Sequence, residues 1–138
     1  MHPIEKYHKI VQTRDISLYD DLLADDVIFY SPVVFTPQKG KELTKAYLLA
    51  AGGVFSEKEE KKEEKKESSF KYVKEIIGEK TATLEFETEL NGIYVNGIDL
   101  ISWNEEGRIN EFRVFIRPLQ AVNTLHQLMG AMLERMKE

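Results

Sequence analysis

The sequence contains no cysteine among its 138 residues. This absence excludes disulfide bonds, thiolate nucleophiles and cysteine-bound zinc or iron–sulfur clusters. Long apolar runs are missing too, since no stretch approaches the ~18 apolar residues of a membrane-spanning helix. No basic segment followed by an apolar run opens the chain, so we expect a cytoplasmic protein with no membrane partner. A chain of this length is expected to form a single domain, residues 1–138.

A concentrated basic surface is also lacking. The formal net charge is -5, so we expect no nucleic-acid partner, because phosphate contacts need clustered lysine and arginine. Many lysines instead alternate with glutamates in pairs between Glu57 and Glu67, which places like charges at i and i+4, as in Lys58 with Lys62. Such pairs destabilise a helix. We therefore expect a mobile, solvated, charged loop near 56–68.

Histidine is scarce as well, with three in the chain. His8 follows Tyr7 on a predicted helix and is turned about 100° from it, so the two are not expected to face one point of a pocket. Asp25 and Asp26 have no histidine near them in sequence and are expected to close a short helix. We accordingly expect no metal site and no cofactor.

Helical spacing governs the first third of the chain. Pro3 suits a first turn, and apolar residues recur at helical spacing up to Arg14. A short helix follows, then a strand at 27–30, then a third helix that is expected to stop at Gly52-Gly53. Beyond Pro118 a last helix carries a methionine-rich apolar stripe, which is typical of core or dimer packing.

The second half has the two-residue period of β-strands. The predicted strands are Phe70–Ile77, Thr81–Leu90, Ile93–Trp103 and Arg108–Ile116. Short links between them predict an antiparallel meander. Asn96-Gly97 lies inside the third of these strands, and we expect a bulge or bend there that curls the sheet around a cavity.

Asp99 is the strongest candidate for a functional residue. It interrupts an apolar strand, and alternation places it on the face of Ile101 and Trp103. A carboxyl group in such surroundings is expected to have a raised pKa, and perturbed acids cluster at functional sites. The alternative is a structural aspartate bonded to a tyrosine or to a backbone donor.

The order of these elements resembles the SnoaL-like branch of the nuclear transport factor 2-like superfamily. The residues that carry the resemblance are Tyr7, the segment 22–27, Ser31-Pro32-Val33, Gly40, Ile98-Asp99, Gly107-Arg108-Ile109 and Phe112-Arg113-Val114. The resemblance covers nearly the whole chain. It implies an α+β cone-shaped barrel in which N-terminal helices pack on a curled antiparallel sheet, followed by a C-terminal helix.

Ketosteroid isomerase is the closest chemical template within that superfamily. The resemblance implies that Tyr7 donates a hydrogen bond to a substrate oxyanion, and that Asp99 is kept protonated by an apolar site and donates as well. The position of the family's catalytic base, an aspartate before a Pro-Val pair, is occupied here by Ser31. A serine hydroxyl does not remove a proton from carbon at neutral pH without a base beside it.

Apolar and aromatic residues on the predicted inner surfaces are candidates for a ligand-binding pocket, with simple core packing as the alternative. They are Phe29, Tyr47, Phe86, Ile101, Trp103, Phe112, Val114 and Ile116. Their number favours a small, largely apolar ligand.

Three hypotheses for the function follow. The first is a domain that binds a small apolar molecule, with Tyr7 and Asp99 as hydrogen-bond donors to a ligand oxygen. The second is an isomerase or a polyketide cyclase-like enzyme with a base from elsewhere, and the third is a dimerising module with a filled cavity. Ile98 and Leu100 make the outer sheet face partly apolar, so the last helix or a second subunit is expected to cover it. The superfamily often pairs through this face, and we expect a homodimer.

Overall fold

The computed structural model describes residues 2–60 and 69–137. Within these ranges the helices are α1 (Pro3–Thr13), α2 (Tyr19–Leu22), α3 (Lys41–Glu60) and α4 (Leu119–Lys137), with a 3-10 turn at Ile16–Leu18. The strands are β1 (Leu23–Tyr30), β2 (Gln38–Lys39), β3 (Lys71–Ile77), β4 (Thr81–Leu90), β5 (Ile93–Trp103) and β6 (Ile109–Arg117). None of the described helices is long and apolar enough to cross a membrane.

The strands form one curled, unclosed sheet in the order β2-β1-β6-β5-β4-β3. Strands β3 to β6 are the predicted antiparallel meander, and β1 joins it in parallel beside β6. The class is α+β, and the architecture is the predicted cone. Strict alternation determines the two sheet faces, because from Val95 to Trp103 each inward residue of β5 is buried while its neighbours are not.

Helix α1 is held by contacts at both of its ends. Nδ1 of His2 accepts a hydrogen bond from the backbone N–H of Ile4, and the backbone N–H of His2 donates to the Glu5 carboxylate, which completes a capping box. The helix ends at Arg14, which adopts the left-handed conformation with φ of 60° and donates its N–H to the carbonyl of Ile10. These contacts fix the cavity-facing residues of α1 over the sheet.

The last helix packs on the inner side of the sheet. Leu125 and Met129 of α4 are buried in a cluster with Phe86 and Val95, so part of the methionine-rich stripe is core, as predicted. Leu119 is 73% exposed and does not belong to the packed face. Because α4 lies on the inner side, it does not cover Ile98 or Leu100, which point outward from β5.

Helix α3 is longer than the sequence predicts. The predicted stop at Gly52-Gly53 is wrong, because the helix continues to Glu60. A Cβ at Gly53 would lie 2.8 Å from Cε of Met132, so the glycine permits a close contact between α3 and α4. Tertiary packing here outweighs the roughly 1 kcal/mol cost of a glycine inside a helix. Of the predicted charged loop, residues 56–60 end this helix and residues 61–68 lie outside the described residues.

One further expectation was wrong, and of the bulge or bend expected at Asn96-Gly97 the bulge was wrong. Asp25 and Asp26 do not close the short helix but lie within β1, which begins at Leu23. Asn96-Gly97 is not a bulge, because the register of β5 with β4 and β6 continues through it without a shift. Gly97 instead allows a close approach, since a Cβ there would clash with the Phe86 ring and lie 2.7 Å from Cδ1 of Ile116.

Candidate functional site

A cavity of about 450 Å³ lies between the helices and the inner face of the sheet. The polar and ionisable side chains among its described lining residues are Tyr7, Arg14, Tyr19, Ser31, Tyr72 and Asp99. The rest of the lining is apolar, apart from glycine backbone. Such a concave, largely apolar space with few polar groups is typical of a small-molecule site.

Two tyrosine hydroxyls and one carboxyl group meet at one place on the wall of the cavity. The Tyr72 hydroxyl donates to Oδ2 of Asp99 over 2.7 Å, and the Tyr7 hydroxyl donates to the same oxygen over 3.3 Å. The two tyrosine hydroxyl oxygens are 2.9 Å apart, so either hydroxyl can donate to the other in place of Asp99. The three residues come from β5, β3 and α1, so this arrangement requires the complete fold.

Burial dominates the electrostatics of the site. It raises the pKa of Asp99 to about 7, although the hydrogen bonds from Tyr72 and Tyr7 act in the opposite direction. Burial, followed by the nearby Asp99 charge, also raises the pKa values of Tyr7 and Tyr72 well above the usual range. The pKa of Tyr19 is raised for the same two reasons. The tyrosines are therefore protonated hydrogen-bond donors at neutral pH.

The structure brings Tyr7 and Asp99 together as the sequence suggested, and it adds Tyr72, which sequence reasoning missed. Three residues link β3 to β4, and counting from that hairpin pairs Val73 with Phe86. A register shift between Tyr72 and Lys74 places Tyr72 there instead, on the inner face. The sequence offered one indication of this role, an aromatic residue near the start of the predicted strand. Tyr19, which lines the cavity from α2, was also missed.

Ser31 lines the cavity but has no base among the described lining residues other than Asp99. Its Oγ accepts a hydrogen bond from the backbone N–H of Val33 over 3.1 Å. His8 does not line the cavity, as expected, and Nε2 of His8 lies 2.8 Å from Oε2 of Glu75. A nucleophilic triad of Ser31, His8 and Asp99 is therefore not assembled.

Five of the eight predicted lining residues reach the cavity. They are Phe29, Phe86, Phe112, Val114 and Ile116. Ile101, Trp103 and Tyr47 are absent from the described lining. Ile101 and Trp103 share the face of Asp99, but they lie farther along β5, where the core is filled. The Trp103 ring contacts the His2 ring at 5.1 Å, and the Tyr47 ring packs against Phe29 at 5.6 Å.

No metal centre is formed by the part of the chain that the structure describes, where no three histidine, aspartate or glutamate side chains cluster. The carboxylate of Asp25 pairs with Lys41 on the surface over 3.2 Å. The hydroxyl and carboxyl groups on the cavity wall can form hydrogen bonds and transfer protons.

Comparison with known proteins agrees with this architecture. The chain is similar to a steroid delta-isomerase from Pseudomonas aeruginosa, with 26% identity, a TM-score of 0.84, and coverage of 96% of this chain and 90% of that one. It is 32% identical to an uncharacterized bacterial protein with a cystatin-like fold from Silicibacter pomeroyi, with a TM-score of 0.80 and coverage of 95% and 85%. A protein of the SnoaL-like family from Agrobacterium tumefaciens shares the fold at 16% identity and a TM-score of 0.57, with coverage of 84% and 95%.

No family model matches the chain, and no curated protein matches it. The structural matches place it in a defined class all the same. The chain has the nuclear transport factor 2-like cone fold in the form that SnoaL-like proteins and steroid delta-isomerase share.

Proposed function

We propose that the cavity binds a small, largely apolar molecule that presents one oxygen atom to Tyr7 and Asp99. The observation that carries this proposal is the convergence of Tyr7, Tyr72 and Asp99 within hydrogen-bond distance on the wall of an apolar cavity. Buried polar groups of this kind discriminate strongly between ligands that satisfy them and ligands that do not.

The hydrogen bonds of this group explain how a ligand oxygen would be held. A neutral Asp99 carries one proton, so the three residues have three hydroxyl protons among them. When Tyr72 donates to the hydroxyl oxygen of Tyr7, both Tyr7 and Asp99 are free to donate to a ligand. A carbonyl oxygen has two lone pairs and accepts both bonds. Tyr72 is then a positioning residue, because its one hydroxyl proton holds the hydroxyl oxygen of Tyr7.

The open cavity supports the hypothesis of a ligand-binding domain over that of a filled module. A space of about 450 Å³ is large enough for a ligand of one to three rings, since drug-sized pockets begin near 300 Å³. Phe86 and Phe112 form its wall and do not fill it. A module that only dimerises has no need of an open cavity with a buried acid.

A matched pair of probes tests this proposal. We expect 2-acetylnaphthalene to bind more tightly than 2-isopropylnaphthalene by roughly tenfold, because only the ketone satisfies the buried donors. Chemical-shift titrations would give both affinities, and the shift changes should include the residues around Asp99. In Tyr7→Phe the preference should shrink. Equal binding of the two probes, or shift changes confined to the outer sheet face, would contradict the proposal.

Catalysis as an isomerase or a cyclase-like enzyme is the second candidate, and the similarity to a steroid delta-isomerase supports it. The two donors at Asp99 and Tyr7 would stabilise an enolate oxygen. Ser31, however, stands where the template has its base, and Asp99 is the one carboxyl group among the described lining residues. We therefore favour binding, or chemistry that does not begin with proton removal by residue 31.

We also propose that the protein is a homodimer that pairs through its outer sheet face. Phe115 is 52% exposed there, next to the outward-facing Ile98 of β5. Glutamates of β4 lie on one side of β5 and arginines of β6 lie on the other. A two-fold axis along β5 would therefore bring acidic and basic edges together.

Sedimentation velocity tests this pairing. Phe115→Glu places a charge in the apolar patch and is expected to give a monomer at concentrations where the wild type is a dimer. Ile16→Glu, at an exposed position on the helical side, is a matched control that should leave the dimer intact. A wild type that sediments as a monomer at high concentration would contradict the proposal.

A further inference from the structure

Tyr19 is a tyrosine of the cavity wall that the contacts described so far leave unused. It is the first residue of α2, it lines the cavity, and its side chain is 6% exposed. Within the described ranges, 2–60 and 69–137, its hydroxyl makes no hydrogen bond, whereas those of Tyr7 and Tyr72 do. Buried tyrosine hydroxyls usually have a partner, so the free hydroxyl of Tyr19 calls for an explanation.

The Tyr19 hydroxyl is not sealed inside the core. Among the described residues, the side-chain oxygen that is both fully buried and without a hydrogen-bond partner is Oγ1 of Thr44. The hydroxyl of Tyr19 also lacks a partner, but it is not enclosed in this way, so it retains accessible surface. Because the residue belongs to the buried core and lines the cavity, the space open to its hydroxyl is the cavity.

The electrostatics agree with this placement. Burial raises the pKa of Tyr19, and the nearby Asp99 carboxylate raises it further. Tyr19 in turn contributes to the raised pKa of Tyr7. No hydrogen bond joins Tyr19 to either residue among the described contacts, so its phenol is a neighbour of that pair and a separate polar group. At neutral pH it is protonated and can both donate and accept.

The position of the Tyr19 ring does not depend on its hydroxyl. The backbone N–H of Tyr19 donates to the carbonyl of Ile16 at the end of the 3-10 turn, and Asp15 caps the start of that turn by accepting from the N–H of Ser17. A phenylalanine would fill the same space in the core and would avoid the cost of an unpaired hydroxyl. The hydroxyl is therefore available to a molecule in the cavity.

We propose that Tyr19 is a second polar contact for the ligand, and that the ligand is a largely apolar ketone with a further hydroxyl or carbonyl oxygen that bonds to Tyr19. The inference rests on the proposed function, because it assumes that the first oxygen lies at Tyr7 and Asp99. One carbonyl oxygen does not serve all three residues, since its two lone pairs accept from Tyr7 and Asp99. Tyr19 would thus favour ligands with the second oxygen over those that leave its hydroxyl unpaired.

A series of hydroxylated ketones tests this inference. The parent is 2-acetylnaphthalene, and its derivatives with one hydroxyl on the second ring sample several distances and directions from the ketone. Isothermal titration calorimetry on the full chain should show at least one derivative binding roughly fivefold more tightly than the parent, as for one net hydrogen bond. The NMR signal of the isotope-labelled Cζ of Tyr19 should shift more with that derivative than with the parent.

Two tyrosine variants locate the effect. In Tyr19→Phe that derivative should bind no more tightly than the parent does. The urea midpoint of this variant should equal or exceed that of the wild type, because no hydrogen bond among the described residues is lost. Tyr47→Phe is the matched control, since Tyr47 packs against Phe29 beside the cavity but is absent from the described lining. It should leave the preference for the derivative unchanged.

The outcomes separate the two proposals. If the parent binds and no derivative binds more tightly, the second contact is overturned and the proposed function stands. An advantage of the derivative that persists in Tyr19→Phe, or that is lost equally in Tyr47→Phe, would also overturn the role of Tyr19. A lower urea midpoint in Tyr19→Phe would mean that the hydroxyl has a structural partner, and would contradict its availability. Binding of neither the parent nor any derivative would overturn the proposed function and this inference together.

Discussion

The hydroxyl of Tyr72 lies 2.7 Å from Oδ2 of Asp99, closer than the Tyr7 hydroxyl at 3.3 Å. Strand β3 therefore supplies the shorter hydrogen bond to the buried acid, and α1 supplies the longer one. Both bonds stabilise the ionised carboxylate and oppose the effect of burial on its pKa. Because burial has the larger effect, the pKa of Asp99 lies close to neutral pH.

Removal of either tyrosine hydroxyl is predicted to raise the pKa of Asp99. Tyr72→Phe should have the larger effect, because it removes the shorter bond, and Tyr7→Phe should have the smaller one. Carboxyl-carbon NMR titration of each variant measures these shifts directly.

Tyr94→Phe is the matched control for these two variants. It removes a tyrosine hydroxyl that donates to Glu87 on the outer sheet face, far from the cavity wall. The pKa of Asp99 should be unchanged in this variant. A fall of that pKa in Tyr72→Phe would contradict the assigned hydrogen bonds.

Asp99→Asn is predicted to become more stable relative to the wild type as the pH rises. The pKa of Asp99 is about 7 in the folded state against 3.8 for an ordinary aspartate, so the stability from the neutral acid is complete below pH 3.8. It is lost as the pH rises from 3.8 toward 7, and above 7 it changes no further. The amide variant has no such loss, so the difference in unfolding free energy should grow by about 4 kcal/mol across this window.

Urea unfolding of both proteins between pH 4 and pH 8 measures this difference. Taking the difference removes the contributions of the other titrating groups, which are common to both proteins. A difference that does not change with pH would contradict a buried Asp99 with a raised pKa.

Ser31→Asp is predicted to create isomerase activity on a β,γ-unsaturated ketosteroid, with little or none in the wild type. The new carboxylate would stand on the cavity wall and could still accept the hydrogen bond from the Val33 N–H, as aspartate does in turns. The assay follows the conjugated enone in the ultraviolet. Ser31→Asn has the same shape without the charge and should be inactive, and a Ser31→Asn variant as active as Ser31→Asp would contradict a base at this position.

The parts of the fold that the sequence predicts are those with strong local patterns. Strands β4 and β5 have the predicted bounds, because buried residues, most of them apolar, alternate there with more exposed ones. The inward position of Asp99 follows from the same alternation. A local pattern is sufficient to predict a strand where each side chain points to one or the other face of the sheet.

The predictions are wrong where contacts between elements that are distant in sequence determine the local structure. The local sequence at Gly53 predicts the end of a helix, but Met132 of α4 packs against this glycine and the helix continues. Tyr72 reaches Asp99 through a register shift that no periodicity reveals. Trp103 faces inward as predicted, yet His2 covers it, because inward direction alone does not distinguish a cavity wall from a filled core.

Two glycine substitutions are predicted to change stability in opposite directions. Gly97→Ala would place a Cβ 2.8 Å from the carbonyl oxygen of Phe115 and against the Phe86 ring, so it should cost roughly 1–3 kcal/mol through overpacking. Gly130→Ala meets nothing within 4 Å on the exposed side of α4 and should stabilise by about 0.5–1 kcal/mol. Thermal and urea unfolding check both values, and a neutral Gly97→Ala would contradict the close packing of β4, β5 and β6.

The most direct test of the central claim is a carboxyl-carbon NMR titration of Asp99, first in the free protein and then with 2-acetylnaphthalene bound. We predict a midpoint of about 7 in the free protein, and a higher one in the complex, because a ketone oxygen binds the protonated acid and so stabilises it. A midpoint near the ordinary aspartate value of 3.8, or a midpoint that the bound ketone leaves unchanged, would contradict Asp99 as a hydrogen-bond donor to a ligand.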